Sequence, residues 1–174
     1  IETDLQVTKD NQLVCFHDFN LRRKFKLNKK IKKINYSDLK KISKKKKAEI
    51  PLLEDLLKIS KKHPLLLEIK PLFKKENLLR LIKLTKNTKK YGLISFKEKN
   101  LINLYKINKK LPLGLLFLAS SSFKDIKIKS KKKHVKFLVL EKTFLSNKNL
   151  YLIKKKIYYY TVKNKSLFKK YRES

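Results

Sequence analysis

Short, continuous apolar runs alternate with Lys-rich amphipathic stretches along almost the whole chain, and that alternation fixes the fold class. An apolar run of five or six residues bounded by turn residues reads as a strand buried on both faces. The intervening stretches, apolar at every third or fourth residue, read as helices packed on those faces. Strands are expected at residues 1–7, 13–17, 65–70, 91–96, 113–118, 135–141 and 157–162. Helices are expected at 38–43, 54–62, 76–89, 99–108, weakly after Ser120-Ser121-Ser122, and at about 149–155 and 164–171. Pro51 marks one helix entry, and Pro64 and Pro71 bracket the run Leu65–Lys70. Asn11, in the turn Lys9-Asp10-Asn11-Gln12, suits the left-handed conformation that a tight return needs. Strand–helix alternation implies βαβ units and a parallel sheet, here with one returning strand that ends at His17. No repeat or linker divides the 174 residues, so a single α/β domain over 1–174 is expected.

Charge is the loudest feature and the least informative. Lys and Arg number 48 against 14 Asp and Glu, a net charge of +34. Such an excess suggests phosphate neutralisation on nucleic acid. The lysines, however, are spread along the chain, and arginine, the better bidentate phosphate reader, occurs only at 22, 23, 80 and 172. The chain also favours Lys, Asn, Ile, Leu, Phe and Tyr over Gly, Pro, Ala and Trp, as A/T-rich coding DNA dictates. No nucleic-acid partner is therefore expected, although anionic substrates or anionic membrane surfaces would be weakly attracted at low salt. No run of apolar residues reaches transmembrane length, and short loops favour the cytoplasm. Cys15 stands alone, so no internal disulfide forms.

Chemistry gathers at strand ends. Residues two apart on a strand share a face, so Glu2 and Asp4 point one way, and Glu68 and Lys70 repeat the arrangement on another strand. Taken singly, these are also what an exposed edge or a strand leaving the core would show. Together they place three carboxylates within one sheet, where mutual repulsion calls for a hard divalent cation. Lys70 is then set to meet an anionic ligand group, and His17 could reach the same space as a general acid or base.

These segments, in order, resemble the glycerophosphodiester phosphodiesterases. The likeness rests on Ile1-Glu2-Thr3-Asp4-Leu5-Gln6-Val7-Thr8-Lys9-Asp10, Val14-Cys15-Phe16-His17-Asp18 and Leu21-Arg22-Arg23. It continues through Ile50-Pro51-Leu52-Leu53-Glu54-Asp55-Leu56-Leu57 and Leu67-Glu68-Ile69-Lys70. Weaker echoes follow at Leu93-Ile94-Ser95-Phe96, Leu113–Leu116 and Tyr160–Asn164. The resemblance implies a phospholipase-C-like (β/α)₈ TIM barrel that hydrolyses glycerophosphodiesters to sn-glycerol 3-phosphate and an alcohol. It further implies that Glu2, Asp4 and Glu68 hold Mg²⁺ or Ca²⁺, that Lys70 contacts the phosphate, and that His17 is one of two catalytic histidines. A neighbouring hydroxyl of the glycerol is thought to attack first in this family.

Departures set a further expectation. The family opens on a strand ending in His-Arg-Gly and closes on a strand carrying Gly-Val-Asp and Thr-Asp, and neither is found here. His63 and His134 do not stand where the partner histidine would. The barrel is thus expected to be incomplete, lacking its first and eighth strands, with the strands of Ile1 and Ile157 as open edges and the segment by itself inactive. Two other readings stay open: a related phospholipase on the same barrel, and a non-enzymatic basic protein that binds nucleic acid.

Overall fold

The computed structural model describes residues 1–60, 63–163 and 166. Its centre is one seven-stranded sheet in the order β2-β1-β3-β4-β5-β6-β7. The strands are β1 (Glu2–Val7), β2 (Leu13–Cys15), β3 (Leu65–Ile69), β4 (Tyr91–Ser95), β5 (Leu113–Phe117), β6 (Phe137–Glu141) and β7 (Ile157–Tyr160). Every neighbouring pair is parallel except β1 with β2, which run antiparallel through Leu5↔Cys15, Gln6↔Val14 and Val7↔Leu13. Among the described residues β7 does not pair with β1, so the sheet is an open run of barrel strands.

The expected order of elements holds, with ends shifted by a few residues. Helices α1 (Arg22–Phe25), α2 (Tyr36–Lys45) and α3 (Leu53–Ile59) precede β3. Helices α4 (Lys75–Thr85), α5 (Glu98–Ile107) and α6 (Phe123–Ser130) make the later crossovers. Two expectations fail. Residues 149–155 form no α-helix. Two 3₁₀ turns, Lys142–Ser146 and Lys148–Leu152, take the connection, started by the Glu141 and Asn147 side chains accepting from backbone amides two residues on. Such local bonds favour short 3₁₀ pieces over a continuing helix. Nor is β1 wholly an open edge, because β2 covers Leu5–Val7 and Phe16 N–H donates to the Asp4 carbonyl. The helix expected at 164–171 lies outside the described residues, Ser166 excepted.

The main core lies between the outer face of the sheet and its helices. Leu5, Leu67, Ile69, Leu93, Leu113, Leu115, Leu138 and Leu140 of the strands meet Leu78, Leu81, Leu101, Leu104 and Ile126 of α4, α5 and α6. A second cluster, Val14, Phe16, Leu21, Phe25, Ile31, Leu39 and Ile50, folds the 19–50 segment against β2. Burying one such side chain contributes roughly 1.5–3 kcal/mol before entropy is counted. The sheet's other face carries a smaller cluster of Ile94, Leu116 and Val139 with Leu66, Phe137 and Tyr160 packed on it. Both glycines of the chain make room there: a Cβ on Gly114 would overlap the Phe137 ring outright, and one on Gly92 would stand 3.0 Å from its Cζ.

The turn after β1 is pinned from three sides. Asn11 takes φ 57°, as the sequence suggests. Arg80 of α4 donates to the Asn11 carbonyl, to Gln12 Oε1 at 2.6 Å and to Glu54 Oε1 at 2.8 Å, joining the turn to α3. Asp10 accepts from Thr8 Oγ1 at 2.6 Å and from the first amide of α2 at 3.0 Å. These contacts hold the carboxyl end of β1 in place.

Candidate active site

Parallel register brings the acids together. Asp4 stands beside Glu68 in the β1–β3 ladder, and Glu2 lies two residues earlier on the same face of β1. One oxygen from each of Glu2, Asp4 and Glu68 lies within 4.8 Å of the other two. Lys70 Nζ is 2.9 Å from Asp4 Oδ1 and 3.4 Å from Glu68 Oε1. Glu2 makes no ion pair among the described residues. Glu2 is the exposed member of the three; partial desolvation, then the charges of Asp4 and Glu68, push its carboxyl up to about 7. Burial raises Glu68 as well, against the pull of Lys70. Burial draws Lys70 down, yet Asp4 and Glu68 outweigh it, and its ammonium is held above the usual range. One cation among three acids leaves negative charge in excess.

A buried polar net positions this end of β3. Ser95 Oγ donates to the Ile69 carbonyl at 2.6 Å, and Asn100 Nδ2 donates to the Pro71 carbonyl at 2.9 Å. Asn100 Oδ1 accepts from Phe73 N–H at 3.0 Å. Ser95 and Asn100 have no accessible surface, and their bonds fix the chain on which Glu68 and Lys70 stand. The periodicity of α5 assigns Asn100 to a buried face without revealing this role.

His17 follows β2 and is largely exposed, at 63% of its side chain. It makes no hydrogen bond or ion pair with the acid cluster. Its Nδ1 faces Asp18 Oδ1 at 2.7 Å. Arg23 of α1 grips the same carboxylate through Nε at 2.7 Å and a terminal nitrogen at 3.0 Å. Arg23, followed by His17, holds the Asp18 carboxyl below the usual range. An ionised Asp18 only accepts, so Nδ1 carries the proton and Nε2 is left as the basic nitrogen. Spacing within His-Asp and Leu-x-Arg gives the residues of this relay but not its order. His134 is remote from it, bonded instead to Glu98 at 2.8 Å. Cys15 is half-buried, and burial lifts its thiol to about 11, which leaves it inert at neutral pH.

Glu68, Lys70 and the loops after β1, β3 and β4 lie at the carboxyl ends of parallel strands, where (β/α) barrels carry their active sites, while Asp4 stands level with Glu68 and Glu2 opens β1. Fold and site together define a parallel barrel sheet with an acid-rich centre. The profile of the Glycerophosphoryl diester phosphodiesterase family matches residues 1–173, and the chain belongs to that family, a group of phosphoric diester hydrolases. A glycerophosphodiester phosphodiesterase from Thermotoga maritima superposes with a TM-score of 0.77 at 21% identity, over 98% of this chain and 76% of the other. A phosphodiesterase from Oleispira antarctica, solved with the product sn-glycerol-3-phosphate, gives 0.81 at 21% identity, over 99% and 77%. A glycerophosphoryl diester phosphodiesterase from Agrobacterium tumefaciens gives 0.85 at 15% identity, over 99% and 76%. At such identities these structures speak for the barrel fold alone. No curated protein sequence matches. No helix among the described residues is long and apolar enough to cross a membrane.

Proposed function

We propose that the protein hydrolyses glycerophosphodiesters to sn-glycerol 3-phosphate and an alcohol, with a divalent cation held by Glu2, Asp4 and Glu68. The observation that carries this reading is the convergence of those three carboxylates, oxygens within 4.8 Å of one another, with a single lysine to balance them. The donor set is all oxygen and carries excess negative charge, which suits Mg²⁺ or Ca²⁺. When bound, such a cation neutralises charge developing on the phosphoryl oxygens.

The remaining work falls to the chain's own groups. Lys70 faces the phosphate with a fixed positive charge. His17 Nε2 is one of two acid–base groups and takes the proton of the attacking hydroxyl, while Asp18 keeps the ring in the tautomer this needs; the other group protonates the departing alcohol. Arg23 is a positioning residue, acting only through Asp18. A second histidine is required for full acid–base catalysis in this scheme, and none lies beside the acids among the described residues.

The test uses the full-length protein and glycerophosphodiester substrates. A chelator removes activity, Mg²⁺ or Ca²⁺ restores it, and calorimetry detects cation binding that is lost in Glu68→Gln. Hydrolysis that survives both chelation and Glu68→Gln would overturn the assignment.

A further inference from the structure

Beside the acid cluster lies a cavity of about 660 Å³ that the scheme above leaves unused. It sits over the carboxyl ends of β1, β3 and β4. Its wall begins at Gln6, two residues past Asp4 on the same strand face, and at Pro71, one residue past Lys70. A diester phosphate held by Lys70 would send one of its two arms into this space.

The lining has a marked charge. Lys9, Lys30, Lys32, Lys74 and Lys97 line it, and no carboxylate does. Of these only Lys74 makes an ion pair among the described residues, with Glu76 at 3.9 Å. Helices α4 and α5 both begin at the cavity, with Lys74 and Lys97 at their N-caps and no side chain capping either end. Each helix carries an acid in its first turn, Glu76 and Glu98, which offsets its positive dipole end, so the cavity's charge comes from the lysines. A separate observation points to a polar ligand. Asn77 is 4% exposed, lines the cavity and makes no side-chain hydrogen bond among the described residues. Gln6, 3% exposed, spends Nε2 on the His17 carbonyl at 3.4 Å and leaves Oε1 without a partner. Among the described residues only Glu54 Oε2 is a fully buried side-chain polar atom without a partner. The free atoms of Asn77 and Gln6 therefore reach the solvent of the cavity and are suited to meet groups that enter it.

We propose that this cavity is the head-group subsite and that it takes an alcohol moiety bearing its own negative charge, such as a phosphorylated polyol, while disfavouring quaternary ammonium head groups. This rests on the diesterase reading and adds a substrate class to it. The hydroxyls of a polyol would meet Gln6 and Asn77, and its anionic group the lysine rim. A trimethylammonium group would face five lysines, of which only Lys74 is paired with a carboxylate.

The experiment compares kcat/KM of the full-length protein for glycerophosphoinositol 4-phosphate and for glycerophosphocholine. At about 20 mM salt the anionic diester is favoured on the order of tenfold or more, and the preference shrinks at about 200 mM. Lys30→Gln/Lys32→Gln/Lys97→Gln brings the two substrates towards parity, whereas Lys86→Gln, at the far end of α4, leaves the ratio as it was. Asn77→Asp, nearly isosteric, lowers kcat/KM for the anionic diester and serves if the triple variant does not fold. A wild-type ratio at or below one, or a ratio unmoved by the triple variant and by Asn77→Asp, overturns the subsite while the diesterase reading stands. Faster turnover of phosphatidylinositol 4-phosphate in vesicles than of the deacylated diester overturns the small-molecule occupant. If neither diester is hydrolysed, the diesterase reading fails and calorimetry with inorganic pyrophosphate decides the cavity. Binding that the triple variant loses supports it, and binding equal in both proteins, or absent, overturns it.

Discussion

Two charge clusters in this protein set carboxylates against basic groups in opposite proportions. At the β1–β3 end, Glu2, Asp4 and Glu68 share Lys70 alone, and the carboxyls of Glu2 and Glu68 are held above their usual range. On the flank formed by α5 and the 131–136 loop, Glu98 alone receives Lys132 at 2.8 Å and His134 at 2.8 Å. There burial is outweighed by those partners, and the Glu98 carboxyl is held below its usual range. The second cluster is electrically closed and serves the fold. The first is short of positive charge, a cost that a purely structural cluster has no reason to carry. Substitutions that treat the two ends alike should therefore give opposite results.

The largest contrast is expected from histidine. His17→Ala in the full-length protein lowers kcat by about 10²- to 10⁴-fold, the usual worth of a positioned acid–base group. His134→Ala changes kcat little and lowers thermal stability instead. Equal kinetic losses in both variants would erase the distinction. Next, Glu68→Gln lowers activity by on the order of 10²-fold and abolishes cation binding in calorimetry, yet the metal-free protein melts no lower than wild type, because a repelling charge has gone. A clear fall in the metal-free melting temperature would mean that Glu68 is a structural partner of Lys70.

Smaller effects sharpen the supporting parts. Asn100→Ala leaves Phe73 N–H and the Pro71 carbonyl without their partner, and costs about 1–3 kcal/mol in chemical denaturation. Smallest is Glu98→Gln, about 1 kcal/mol once solvent screening is allowed for. Its pH dependence is distinctive. A carboxyl lowered by folding contributes stability above its unfolded pKa, and that contribution is lost as pH falls through the folded value. Wild type and Glu98→Gln should thus differ most near neutrality and converge in acid, as melting curves across pH will show. A constant gap would exclude the ion pair as its source.

How much of this was legible in sequence differs by region. Strands such as Leu65–Ile69 and Leu113–Phe117 declare themselves because both of their faces are apolar, and their order follows from the helices between them. The acid cluster was legible for the same reason, since Glu68 and Asp4 interrupt apolar strands with charge that burial must justify. Residues 149–155 misled because their pattern fits a helix, while Glu141 and Asn147 bond locally to the backbone and start two 3₁₀ turns over 142–152 instead. The Asp18–Arg23 relay was hidden because it depends on how α1 turns back, with Lys26 at φ 58° closing the helix, and neither apolar periodicity nor spacing encodes that return. The placing of Lys70 beside both Asp4 and Glu68 depends on three-dimensional proximity, which spacing along β3 does not encode.

Phe137 and the two glycines opposite it carry a consequence for how this sequence can change. The ring occupies space that β4 and β5 vacate by having no side chain at 92 and 114, and it also meets Tyr158 edge-on at 5.4 Å. None of the three can be varied alone. Alanine at 114 becomes tolerable only when residue 137 shrinks, and a shrunken residue 137 leaves a void unless the glycine positions grow. The trio therefore behaves as one inherited unit with a single joint volume, so Gly114→Ala and Phe137→Leu should each destabilise the protein by more than the pair together does.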